Sequence, residues 1–145
     1  MELRVLKLKE DKSDPLFASS EGQTLLEMYA DYYPTIGFHL PWVGYVVIRD
    51  HQVLGTCGFT GQPQEGKVEL AYWTFKEYEG QGIASFACKA LLEIARSTDP
   101  SLTVIAKTAP EHNASTNILE KNGFVCTGIV QDEEIGDSWL WMRFS

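Results

Sequence analysis

Cysteine is scarce here and poorly placed for holding a metal: Cys57, Cys88 and Cys126 are odd in number, widely spaced and each set in an otherwise apolar segment. They read as buried thiols. A zinc site wants paired, closely spaced ligands, which neither these cysteines nor His39, His51 and His112 supply, so no metal is expected. A long apolar run is also missing. The opening Met-Glu-Leu-Arg-Val-Leu-Lys-Leu alternates apolar with charged residues and lacks the continuous apolar core of a signal peptide or a membrane span. The expectation is no membrane and a reducing cytoplasm. Nor is there a basic cluster: 12 Lys and Arg against 20 Asp and Glu give a formal charge of −8, which repels nucleic acid and favours a cationic or amine-bearing partner. Charge for solubility alone is the other reading. Low-complexity tracts and solenoid-period repeats are absent, and with a 44% hydrophobic fraction the 145 residues fit a single globular domain, 1–145.

What is present is a glycine-rich turn, Tyr78-Glu79-Gly80-Gln81-Gly82-Ile83-Ala84, between an apolar run ending at Phe75 and an amphipathic run reaching Thr98. It reads as a strand feeding a helix whose first turn lies open. Without side chains at Gly80 and Gly82 a ligand can approach the backbone, and the unpaired amides of a helix start carry roughly half a positive charge. That is a phosphate cradle. It is neither of the two common ones: Ser85 stands where the dinucleotide fingerprint needs its third glycine, and the lysine of the phosphate-loop signature is missing.

Along the chain, Leu3, Val5 and Leu6 to Leu8 with interleaved charges predict a first strand. A helix is expected from Ser20, with Gln23 completing a capping box, an apolar stripe of Leu25, Leu26, Tyr29 and Tyr33, and Pro34 ending the pattern. Val43 to Phe75 predicts an antiparallel meander of three strands. The period then changes: Ala84, Ala87, Cys88, Leu91, Leu92 and Ala95 recur at helical spacing. Leu102 to Ala106 follows as a short strand, parallel to the one ending at Phe75 because a helix intervenes. A helix beginning near Asn113 to Ser115 stops at Gly123, and Phe124 to Val130 with Trp139 to Phe144 close the chain as a hairpin turning through Asp132 to Asp137. The predicted class is α/β, with the order β-α-β-β-β-α-β-α-β-β. Trp139 and Trp141 alternate on the last strand and suit either the core or a homodimer interface.

This order, with two motifs, resembles the GNAT superfamily of N-acetyltransferases, in particular its RimJ/RimL-like branch. The pattern Arg/Gln-x-x-Gly-x-Gly/Ala is met by Gly82 and Ala84, with Gly80 in the additional glycine place and Glu79 departing from the opening Arg/Gln. The second motif, Asn113-Ala114-Ser115-Thr116-Asn117-Ile118-Leu119-Glu120-Lys121-Asn122-Gly123-Phe124, resembles the branch's helix ending in Glu-Lys-x-Gly-Phe. There the asparagine often stands three before the serine, the place of His112, whereas Asn113 stands two before. The resemblance implies a mixed, mostly antiparallel twisted sheet splayed between its fourth and fifth strands. It also implies acetyl-CoA as co-substrate, cradled by Gly80, Gln81, Gly82, Ile83, Ala84 and Ser85, its pantetheine arm pairing with the backbone of Trp73, Thr74 and Phe75, and Asn113 either a ligand or a helix cap.

Direct transfer to an amine needs a base, since an alkylammonium of pKa near 10.4 is mostly protonated at neutral pH. Glu69, in the apolar segment Val68 to Trp73, matches a glutamate serving as base in resembling enzymes; a solvent-facing strand residue is the alternative. Ser115 is the candidate to protonate the leaving thiolate, with a capping role as its alternative, because Leu119 occupies the place where many relatives carry a tyrosine. Tyr72 can substitute unless it only fills the core. Tyr29, Tyr32, Tyr33, Phe38, His39 and Trp42 form an aromatic concentration for acceptor recognition or for packing. An amine N-acetyltransferase working through a ternary complex is the expected function. The rival is a coenzyme-binding sensor or interaction module that has lost catalysis.

Overall fold

The computed structural model describes residues 1–132 and 136–144. Among these residues, seven strands and three α-helices follow the predicted order: β1 (Glu2–Val5), α1 (Ser20–Ile36), β2 (Gly44–Arg49), β3 (Gln52–Phe59), β4 (Lys67–Thr74), α2 (Ile83–Thr98), β5 (Thr103–Thr108), α3 (Ala114–Lys121), β6 (Val125–Asp132) and β7 (Gly136–Arg143), with 3-10 turns at Pro15–Phe17 and Lys76–Tyr78. The strands form one sheet in the order β1-β2-β3-β4-β5-β7-β6, antiparallel throughout except between β4 and β5. Among the described residues no helix is long and apolar enough to cross a membrane.

The N-cap of α1 lies one residue earlier than the expected Ser20. Ser19 is the N-cap, accepting from Gly22 N at 3.0 Å, so Gln23 lies beyond the capping-box position. Its amide instead donates to Phe17 O at 2.6 Å and ties the preceding loop to the helix. Pro34 does not end the helix, which runs on to Ile36. A proline removes only its own N–H bond, and the turn around it is still closed by Gly37 N donating to Tyr33 O at 2.7 Å. β1 stops at Val5; Leu6 turns into the core while Leu8 is 58% exposed. β5 extends past Ala106 to Thr108. The predicted closing turn falls partly on residues 133–135, outside the described residues.

One face of the sheet packs on α2 through Val68 and Leu70 against Ile83, Ala87, Cys88 and Leu91, all buried, with Leu119 of α3 beside them. The three-and-four spacing of these small and branched residues gives α2 its buried stripe. α1 buries Leu25, Leu26 and Tyr33 in the same hydrophobic core. Trp141 is 2% exposed and donates to Thr108 Oγ1 at 2.9 Å, so it serves the core.

Candidate active site

Strands β4 and β5 stay together for only three residue pairs, Lys67 with Thr103, Val68 with Val104 and Glu69 with Ile105, and then part. β4 keeps its other partner beyond that point, pairing with β3 from Leu70 to Thr74. A wedge therefore opens in mid-sheet. Glu69 O accepts from Thr60 N and Phe75 N donates to Leu54 O, so the odd-numbered backbone groups face β3, while Gly66 O, accepting from Thr103 N, faces β5. By strand alternation the groups bordering the wedge are those of Leu70, Tyr72 and Thr74. Of the expected pantetheine partners, Thr74 has its backbone on this border. Trp73 and Phe75 do not, because theirs are turned to β3.

At the mouth of the wedge the chain makes the 3-10 turn and then the glycine turn. Gly80 and Gly82 have φ of +80° and +79°, a region where a β-carbon is strained, and nothing lies within 4 Å of where one would sit. The glycines thus set the backbone path and leave the space above it open. Gly82 is the N-cap of α2 and offers no side-chain acceptor; the first bond of the helix is Phe86 N to Gly82 O at 3.0 Å. The N–H groups of Ile83, Ala84 and Ser85 precede that bond and are left to outside acceptors, with the positive end of a 16-residue helix behind them. This suits a diphosphate. Glu79, the departure from the motif, is exposed. Gln81 accepts a hydrogen bond from Arg49 Nη2 at 2.9 Å, across 32 residues of sequence.

Glu69 stands where the strands part. Its Oε1 lies 3.4 Å from Lys107 Nζ, and Lys107 is in turn 3.8 Å from Asp132 Oδ2. Burial raises the Glu69 carboxyl above its ordinary range, the Lys107 ammonium pulls it back down, Asp132 adds a smaller upward push, and a hydrogen bond from Thr60 opposes it. A partly buried carboxylate with a raised proton affinity is suited to general-base work. Lys107 carries no motif signal in the sequence; it is the residue two beyond Ile105, the last position of β5 paired with β4.

Tyr72 leaves β4 on the opposite face from Glu69, three residues away. Its hydroxyl donates to Ser115 O at 3.2 Å and lies 3.3 Å from Ser115 Oγ. Burial pushes the Tyr72 hydroxyl up to about 12, against a smaller lowering by Ser115, so it stays protonated at neutral pH. Ser115 is free of the capping role, which Asn113 fills: Asn113 Oδ1 accepts from Thr116 N at 3.1 Å and Thr116 Oγ1 accepts from Asn113 N at 2.9 Å. As a coenzyme ligand Asn113 is therefore poorly placed, since its oxygen is committed to the helix and its Nδ2 meets Glu111 Oε1 at 3.4 Å. Glu69 and the Ser115–Tyr72 pair flank the wedge from its two faces.

The aromatic concentration is mainly packing. Tyr33 is buried, donates to Leu6 O at 2.6 Å and accepts from Gly44 N at 3.1 Å, while Trp42 packs edge-on against Phe59. Tyr29 meets Tyr33 at a tilt and Tyr33 meets Phe38 edge-on, and only His39 of the group is exposed. Burial pushes the Cys57 thiol up to about 12 and the Cys88 thiol up to about 11, whereas Cys126, expected to be buried, is exposed on β6.

The profile of the acetyltransferase (GNAT) domain family matches residues 13–125. Among related sequences, the uncharacterized N-acetyltransferase p20 of Bacillus licheniformis is 31% identical over 90 residues, covering 61% of this chain and 51% of that protein. The ribosomal-protein-serine acetyltransferase of Escherichia coli K12 is 23% identical over 91 residues, 62% of this chain and 51% of the relative. The chain thus spans about half the length of the curated relatives it matches. Among solved structures, the ribosomal-protein-S5-alanine acetyltransferase of Vibrio fischeri superposes with a TM-score of 0.68 at 18% identity, covering 98% of this chain and 91% of that one. The RimL ribosomal L7/L12 acetyltransferase solved with coenzyme A gives 0.66 at 18% identity, covering 91% and 77%. At such identities the likeness is one of fold.

Proposed function

Because this chain belongs to the acetyltransferase (GNAT) domain family, we propose that it transfers an acetyl group from acetyl-CoA to a primary amine, with both substrates bound and no covalent enzyme intermediate. The observation that carries this reading is the wedge between β4 and β5, bordered by free strand backbone and ending at the open amides of α2. An extended arm rich in amides adds to such a strand edge, and a diphosphate seats on such a helix start. Gly80, Gln81, Gly82, Ile83, Ala84 and Ser85 hold the diphosphate on this reading, and Tyr72 and Thr74 line the arm.

The thioester supplies an activated acyl carbon. Glu69 takes the proton of the attacking amine, directly or through a water, as the C–N bond forms; the C–S bond breaks on the opposite side, where the Tyr72–Ser115 pair delivers a proton to the leaving sulfur. The net charge of −8 favours a cationic acceptor, a small amine or a peptide or protein N-terminus. The ribosomal-protein substrate named for the E. coli relative supports a protein amine among these. A reducing cytoplasm suits the buried free thiols of Cys57 and Cys88.

Unfolding with saturating acetyl-CoA, with NADH as control, tests the reading. At a hundred times the dissociation constant binding adds about 2.7 kcal/mol, a shift of roughly 5 to 10 degrees. No shift with acetyl-CoA would refute it. Glu69→Gln then separates enzyme from binding module: turnover of an amine panel collapses while the acetyl-CoA shift persists. A coenzyme-binding module without catalysis is the second reading, favoured by Leu119, fully buried at the place where many enzymes of the superfamily carry a tyrosine. Wild-type protein that binds acetyl-CoA but releases no free thiol with any amine would establish it.

A further inference from the structure

The motif's opening position carries Glu79, an anion, in place of an arginine or glutamine, yet a cation reaches the same turn from another strand. Arg49, the last residue of β2, donates from Nη2 to Gln81 Oε1 at 2.9 Å. Gln81 lies between the two glycines whose left-handed φ shapes the cradle. Among the described residues, no carboxylate is within salt-bridge distance of Arg49, although the chain carries 20 acidic residues to 12 basic ones. A neutral amide oxygen orders a guanidinium without neutralising it, and one such bond leaves most of its five N–H donors for another acceptor. The full positive charge is therefore held next to the open amides of α2.

We infer that Arg49 is a coenzyme-binding residue that contacts the diphosphate alongside the turn amides, with Gln81 as the positioning residue that aims it. This rests on the acetyl-CoA reading above. A diphosphate bound by backbone amides alone receives partial charges; the planar fork of a guanidinium adds a whole one, with paired donors that match phosphate oxygens. The charge that Glu79 removes from the motif is thereby returned by a residue 30 positions earlier in the chain. Because Glu79 is exposed, its own charge is screened by solvent more than that of the half-buried Arg49.

The test is calorimetric titration of CoA and of 3′-dephospho-CoA into wild type, Arg49→Gln, Arg49→Lys and Gln81→Ala. Arg49→Gln weakens CoA about tenfold, or about 1.4 kcal/mol, and flattens the salt dependence of binding; Arg49→Lys and Gln81→Ala lose less. Dephospho-CoA, which keeps the diphosphate, suffers the same loss. Equal affinity in wild type and Arg49→Gln overturns the inference while leaving the acetyl-CoA reading intact. A loss seen with CoA but absent with dephospho-CoA also overturns it, because the cation would then be reading the 3′-phosphate. If Arg49→Gln does not fold, Gln81→Ala decides, and unchanged affinity there refutes the positioning. Failure of wild type to bind either compound sinks the acetyl-CoA reading and this inference with it.

Discussion

Replacing Lys107 with methionine keeps the length and apolar stem of the side chain and removes only the charge 3.4 Å from Glu69. At that distance two unit charges attract by about 1 kcal/mol in water and about 5 kcal/mol at an effective dielectric of 20. The side chains are 30% and 23% exposed, so the interaction lies between these limits and nearer the lower one. Lys107 favours the ionised carboxylate. Without it, burial and Asp132 act unopposed except for the Thr60 hydrogen bond, and the proton affinity of Glu69 rises further. The base is then protonated over more of the acid range, so the acid limb of the kcat/KM profile moves to higher pH. Even about 1 kcal/mol corresponds to a loss of roughly fivefold on that limb, closing toward the plateau where Glu69 is ionised in both proteins. The assay is thiol release at fixed acetyl-CoA with an amine whose own ionisation is corrected for, repeated at high salt, which shrinks the difference. An acid limb that stays in place or moves to lower pH would refute both the ion pair's role and Glu69 as base.

Other perturbations separate roles that the sequence leaves merged. Asn113→Ala removes the cap of α3 and costs about 0.5 to 2 kcal/mol in denaturant unfolding, while CoA affinity stays within about twofold; a large affinity loss with unchanged stability would restore the ligand role. Tyr72→Phe and Ser115→Ala each lower kcat with little change in acetyl-CoA affinity, and the double variant falls short of the product of the two because they act as one donor; a fully multiplicative loss argues for independent roles. Tyr33→Phe leaves Leu6 O and Gly44 N without the hydroxyl that joins them, and each buried unpaired group costs about 1 to 3 kcal/mol. Urea titration showing less than about 1 kcal/mol would mean that water replaces it.

The order of elements was legible because period and punctuation agree along most of the chain. Ala87, Leu91 and Ala95 recur on one helical face, and all three are buried. Gly123, at a φ of +86°, closes α3 as expected from its place after the apolar stripe. The start of α1 was ambiguous by nature, since Ser19 and Ser20 are equally good caps and only the loop packing of Gln23 on Phe17 selects the first. In the candidate site, the glycine turn and Glu69 could be found from local pattern. Arg49 beside Gln81 and Tyr72 beside Ser115 are meetings across 32 and 43 residues, created by β2 ending beside the start of α2 and by the first turn of α3 lying beside β4. No local periodicity encodes such pairs. The choice between Tyr72 and Thr74 on one side of a strand and Trp73 and Phe75 on the other depends on which neighbour β4 bonds, which alternation of side chains does not specify.

Mechanically, the sheet is two panels stitched along one short seam. β1 to β4 form one panel, β5 to β7 the other, and the stitching is the three residue pairs from Lys67–Thr103 to Glu69–Ile105. Thr74 lies five residues past the seam, roughly 16 Å at the rise of a strand. A panel rotation of about 5° therefore displaces that end of the edge by roughly 1.4 Å, but hardly moves Glu69. The Glu69 carboxylate sits at the pivot and the glycine turn at the end of the lever. On the proposed function, small changes in packing at Val68 and Val104 would tune the aperture for the coenzyme arm while leaving Glu69 in place.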